Sequence, residues 1–280
     1  MSALFLPLKL AVVTLFALWG GSALANEREV DAASGIEFVK IPAGCFSMGA
    51  DRAGEQHEAW PVPMPDHDEL PKHEVCVDAF WLSKTEVTRG QWKKVTNKVL
   101  PIIDRPVIDV SWDEAVQFTR DLSGVSAGKF RLPTEAEWEY ACHAGTVVEA
   151  KQVFAEDFFR LLDDTLRLAA YRYQTGRDPT ALSVAGRVPN DWGLADMLGN
   201  VWEWTLDGYD AAAYARHARH NPLQSATDDR RVIRGGSYKT DIARVRCGAR
   251  NEAPKDERSP VIGFRVVKEI ERSSEKEAKK

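Results

Sequence analysis

The sequence predicts a mixed α/β chain of the α+β kind, with short strands towards both ends and three helices between them. Two observations carry this. Glu37-Phe38-Val39-Lys40-Ile41-Pro42, Gly44 to Gly49, His73 to Leu82 and Gly263-Phe264-Arg265-Val266-Val267 read as short extended runs. Thr88-x-x-Gln91, Ser111-x-x-Glu114 and Thr134-x-x-Glu137 are three capping boxes, in which a hydroxyl and the side chain three residues on satisfy each other's backbone N–H groups. The boxes open helices with Trp92 and Val95, then Ala115, Phe118 or Thr119 and Leu122, then Trp138 and Ala141 facing inward. The third helix spans Glu135 to His143, with Gly145 as its stop.

At the N-terminus, Leu10 to Trp19 is an apolar run with Lys9 before it and Ala23-Leu24-Ala25 after it. This is the pattern of a secretory signal, residues 1–25, cleaved before Asn26. An uncleaved anchor is the rival, but Pro7 and Lys9 shorten the run below the roughly 20 residues of a spanning helix. The expected location is therefore the periplasm or the exterior. Residues 26–35 read as a polar leader, 36–268 as the domain and 269–280 as a charged tail. Net charge is −5 with no basic stripe, which argues against a nucleic-acid partner.

Cys45, Cys76, Cys142 and Cys247 all follow the signal, and in an oxidising compartment an even count favours two disulfides. Spacing allows three pairings; Cys45 and Cys76 both fall on N-terminal strands, so a bridge between them is geometrically reasonable. His57, His67 and His73 lie among acids in and just beyond the Pro- and Asp-containing stretch Asp51 to Pro71, where a solvated loop is favoured over a metal site. Lys151 to Tyr173 reads as a further helix. The stretch Arg234-Gly235-Gly236-Ser237 through Arg250 combines a glycine hinge with four arginines and a cysteine.

Arg131-Leu132-Pro133-Thr134-Glu135-Ala136-Glu137-Trp138, Gly199-Asn200-Val201-Trp202-Glu203-Trp204, Arg234-Gly235-Gly236-Ser237 and Gly263-Phe264-Arg265, in this order, resemble the formylglycine-generating enzymes, or sulfatase-modifying factors. The resemblance implies a C-type-lectin-like fold with little regular secondary structure and small antiparallel sheets. It places Cys247 at the family's structural cysteine and Cys142 at its partner, implying a Cys142–Cys247 bridge and, by remainder, Cys45–Cys76.

The copper oxidases of that family carry two cysteines between the Gly-Gly-Ser turn and the Arg-Cys element. The interval Tyr238 to Arg246 has none, so bis-thiolate Cu(I) is not expected. The resemblance further implies calcium at Asn200, the Val201 carbonyl and Glu203, with Ala170 standing where a second calcium site needs Asn. Arg234, Tyr238, Arg246 and Arg250 line the family's groove, where the arginines hold an anion or a peptide carboxylate or, the favoured reading, pair with acids such as Glu135 and Glu139. Asp241 and Glu252 are the acids nearest that groove, Glu252 as a candidate general base. The expected function is a periplasmic binding, accessory or maturation factor for a peptide or protein partner. The alternative is an oxidoreductase of the formylglycine-generating or pyoverdine-maturation type acting on a peptide-like substrate.

Overall fold

The computed structural model describes residues 27–50, 67–98, 100–145, 180–240 and 244–271. The signal, the Lys151 to Tyr173 helix, Ala170, His57 and Asp241 lie outside the described residues, as does most of the tail. Among these residues the chain forms three small sheets and three α-helices. The first runs β1 (Arg28–Val30), β2 (Glu37–Ile41), β5 (Phe80–Ser83), β11 (Val267–Lys268) and β6 (Phe130–Arg131), antiparallel throughout. The second orders β10 (Ile262–Phe264), β7 (Trp202–Gly208), β8 (Arg230–Arg234) and β9 (Arg250–Pro254), with β10 parallel to β7. The third is the pair β3 (Gly44–Met48) and β4 (His73–Val77).

Helices α1 (Arg89–Thr96), α2 (Trp112–Val125) and α3 (Glu135–His143) start where the capping boxes place them, and all three boxes form reciprocally. The α3 cap is Ala144, left-handed like Gly145 beyond it. Trp92 of α1 stacks on Phe118 of α2 at 5.3 Å in a core shared with Phe38, Trp204 and Phe264. A second core gathers Val39, Leu82, Trp138, Tyr140, Met197 and Tyr214 around α3.

Three runs differ from the sequence expectation. The polar leader supplies β1, an edge strand whose charged residues Arg28 and Glu29 suit an edge open to water. His73 to Leu82 is not one strand: it breaks after Val77, so that β4 and β5 serve different sheets. Gly263 to Val267 likewise splits, because Arg265 leaves the ladder to reach a buried carboxylate, and the chain changes sheet at that point. Both disulfides are present: Cys45–Cys76 joins directly opposed residues of β3 and β4, and Cys142–Cys247 ties α3 to the segment before β9. Among the described residues no helix is long and apolar enough to cross a membrane.

Candidate functional site

The Gly-Gly-Ser turn follows β8 and is laced to the turn that precedes β7. Gly235 accepts from the Gly199 N–H at 2.8 Å, and the Tyr238 N–H donates to the Asn200 carbonyl at 2.9 Å. Gly235 and Gly236 have φ of 95° and 80°. A Cβ at Gly235 would stand 2.9 Å from the Met197 carbonyl oxygen, and one at Gly236 2.9 Å from Val245, so both conformation and space require glycine. Ser237 is buried and its N–H donates to the Thr240 hydroxyl. Tyr238 is half-buried, its hydroxyl 3.4 Å from the Pro260 carbonyl.

The arginines around this turn point inward, onto acids. Arg234, fully buried, pairs with Glu135 at 3.1 Å and with Glu139, and donates to the Cys247 and Gly248 carbonyls. Arg250 grips Glu135 in bidentate fashion at 2.6 and 3.0 Å and lies 4.5 Å over the Tyr214 ring. Arg246 holds Glu69 with two bonds of 2.7 and 2.6 Å. The short turn at His67–Glu69, the helix α3 and the strands β8 and β9 thereby meet on one charged seam. Burial by itself would raise the Glu139 carboxyl; the Arg234 guanidinium, His143 and the Gly49 N–H outweigh it and hold it down to about 2. Glu135 is lowered too, Arg250 and Arg234 overcoming its burial.

Asp207 goes the other way. It accepts from the Glu135 and Gln224 N–H groups at 2.7 and 2.8 Å, but full burial and then the Glu135 charge push its carboxyl up to about 7. An acid raised on folding keeps its proton where the unfolded chain has lost it. Its contribution is therefore most favourable below about pH 4 and declines as pH rises to 7, by an amount on the order of 4 kcal/mol. Urea unfolding of Asp207→Asn across pH 4 to 8 is expected to lack this decline. A difference from the unsubstituted protein that is constant with pH would refute it.

A second buried set lies under the Asn200 turn. Glu203 binds Arg265 with both oxygens, at 2.6 and 2.7 Å, and accepts from the Trp138 indole N–H at 2.7 Å. Asn200 accepts from the Leu182 N–H at 2.8 Å and donates to Glu86 at 2.9 Å. Glu86 is fully buried, its second oxygen has no partner, and burial, then Asp196 and Glu203, raise its carboxyl well above the usual range. Three buried carboxylates thus face Arg265, with Arg187 3.9 Å from Asp196 at the margin. The donors here are oxygens, the type a hard cation such as calcium takes, but among the described residues no group of three or more acidic, cysteine or histidine side chains is placed to hold a metal ion. Asn200 and the unpartnered Glu86 oxygen are the donors at hand, whereas Glu203 would share its oxygens with Arg265. Copper fares differently. Every cysteine is in a disulfide, so no thiolate is present for Cu(I).

Glu252 is the middle residue of β9, half-buried and opposite Val232 of β8, and its carboxylate is in an ion pair with Arg230 at 2.9 Å rather than with Arg234. Sequence reading passed over Glu69, Glu86, Asp196, Asp207 and Tyr214. Asp207 carried a signal, as one of two acids inside the strand-forming run Trp202–Gly208.

The model of the sulfatase-modifying factor enzyme 1-like domain matches residues 22–270. The formylglycine-generating enzyme of Streptomyces coelicolor is 33% identical over 229 residues, covering 76% of this chain and 68% of that protein. That of Bos taurus is 26% identical over 325 residues, covering 89% and 82%. Among solved structures, PvdO from Pseudomonas aeruginosa superposes with a TM-score of 0.67 at 22% identity, covering 88% of this chain and 99% of that one.

Proposed function

This chain belongs to the sulfatase-modifying factor enzyme 1-like family, and from that premise we propose that it is an exported binding or maturation factor. It holds a peptide or protein partner and performs no copper–thiolate oxidation. The state of its sulfur carries the reading: a soft-metal oxidase centre needs paired thiolates, and all four cysteines here are spent on two disulfides. Relatives named formylglycine-generating enzymes support a peptide or protein as the partner. The buried arginine seam ties β8 and β9 to α3, a scaffold suited to presenting a partner-binding surface. Calcium, in this reading, sits under the Asn200 turn and neutralises the excess acid there.

The same relatives favour a second reading, an oxidoreductase acting on a peptide-like substrate without cysteine-bound copper. One experiment separates the two. The mature chain, disulfides intact, is incubated with a cysteine-containing peptide, with copper, with calcium or with a chelator. Oxygen uptake, peptide mass and tryptophan fluorescence are followed, and the chain's melting temperature is recorded. The expected result is saturable quenching, unaltered peptide mass and a lower melting temperature in the chelator. Copper-dependent aldehyde formation would overturn the first reading, and copper-independent oxygen uptake would establish the second.

A further inference from the structure

His73 and His217 stand 144 residues apart in the chain, yet His73 Nε2 lies 3.1 Å from His217 Nδ1. The other nitrogen of His73, Nδ1, lies 2.9 Å from the Pro71 carbonyl oxygen. A carbonyl only accepts, so Nδ1 carries the proton, and the neutral ring turns the Nε2 lone pair towards His217. A backbone carbonyl that fixes the tautomer and orientation of an imidazole is the usual support of a metal-ligating histidine.

Across the gap, His217 Nε2 is buried without a partner. That nitrogen is unsatisfied whether it bears the proton or the lone pair. Shifting the His217 proton from Nδ1 to Nε2 therefore sacrifices the single bond to His73 and leaves two lone pairs facing each other. Nitrogen ligands about 2.0–2.1 Å from an ion stand roughly 2.8–3.4 Å apart when the angle at the metal lies between square and tetrahedral. The observed 3.1 Å falls within that interval.

Neither ring has to be ordered by the ion. The Tyr214 ring packs 5.1 Å from His73 and 5.0 Å from His217, and its hydroxyl is anchored on Glu135 at 3.2 Å. Both histidines are partly exposed, which leaves an entry path and room for water.

We propose that His73 and His217 form a two-imidazole chelate for a divalent transition ion of the zinc, nickel and copper group, clamping β4 to the segment that follows the turn Ala213–Ala215. Imidazole pairs suit these ions. Among the described residues no group of three or more acidic, cysteine or histidine side chains is gathered for a metal, and the proposal gives the remaining coordination positions to water.

The test uses untagged full protein and zinc ion alone, with equilibrium dialysis and metal analysis beside a thermal melt. One zinc per chain and a raised melting temperature are expected. His73→Ala, His73→Gln and His217→Ala should each weaken binding by at least about tenfold, while His220→Ala, at an exposed histidine, should bind as the unsubstituted chain does. Each variant is checked for an unchanged circular dichroism spectrum, His73→Gln being the substitution that best keeps the ring's volume. A chain that retains no zinc after dialysis overturns the proposal. So does zinc held equally well by folded His73 and His217 variants.

Discussion

Glu135→Ala is expected to lower the free energy of unfolding by about 3–5 kcal/mol, the cost of leaving a buried charge without its partner. Glu135 is fully buried and accepts from Arg234, from two nitrogens of Arg250 and from the Tyr214 hydroxyl. Arg234 keeps Glu139, but Arg250 would retain the Asp68 and Asp210 carbonyls, the faces of the Tyr209 and Tyr214 rings and a carboxylate at 4.0 Å. Hydrogen bonds to dipoles do not offset the desolvation of a guanidinium. Glu135→Gln should fall between the two, since its amide oxygen still accepts while its NH2 meets donors. Arg219→Ala supplies the contrast. Its pair with Glu74 is well exposed, so the loss should be no more than about 1 kcal/mol. Urea denaturation at pH 7 measures all three, and a Glu135→Ala loss as small as that of Arg219→Ala would mean that water reaches the seam.

Replacing both Cys142 and Cys247 by Ala is expected to cost about 4–5 kcal/mol, and replacing both Cys45 and Cys76 about 3–4 kcal/mol. The two bridges span sequence separations of 105 and 31, and loop-closure entropy grows only with the logarithm of that span, so the gap between them is small. The longer bridge also fixes a second thing. Arg234 donates to the Cys247 carbonyl at 2.5 Å and Asn190 to the Ala141 carbonyl beside Cys142 at 2.9 Å, so both ends of the bridge sit in hydrogen-bonded frames. Its loss should therefore couple to Glu135→Ala in a double-mutant cycle, whereas loss of Cys45–Cys76 should add independently. Denaturation midpoints equal to that of the intact chain in either double variant would contradict the ranking.

The helices were legible because their information is local: Thr88, Ser111 and Thr134 each find their cap partner three residues on, without help from the rest of the fold. The two pairings of cysteine followed from family likeness, since four cysteines do not pair themselves by spacing. What stayed hidden depends on distant partners. Nothing adjacent to Glu69 announces Arg246, which is 177 residues away. Glu86 looks like any exposed acid until Asn200, Asp196 and Arg265 close over it. The break between β4 and β5 follows from their different partners, β3 for one and β2 with β11 for the other, and β7 hides its strand character because residues on both of its faces are buried, which erases alternation. Around the candidate groove the arginines were recognisable as a group, but their direction, inward to carboxylates, belongs to tertiary structure.

The change of sheet at Arg265 has a bearing on when the fold forms. β10 pairs with β7 in one sheet, and three residues later β11 fills the gap between β5 and β6 in the other. Synthesis runs from the N-terminus, so β5 and β6 wait unjoined until residues 262–268 have been made, and the two sheets close almost together. The first sheet therefore stays open until that segment has been made, and the clasp is a long-range event rather than the addition of one more local element.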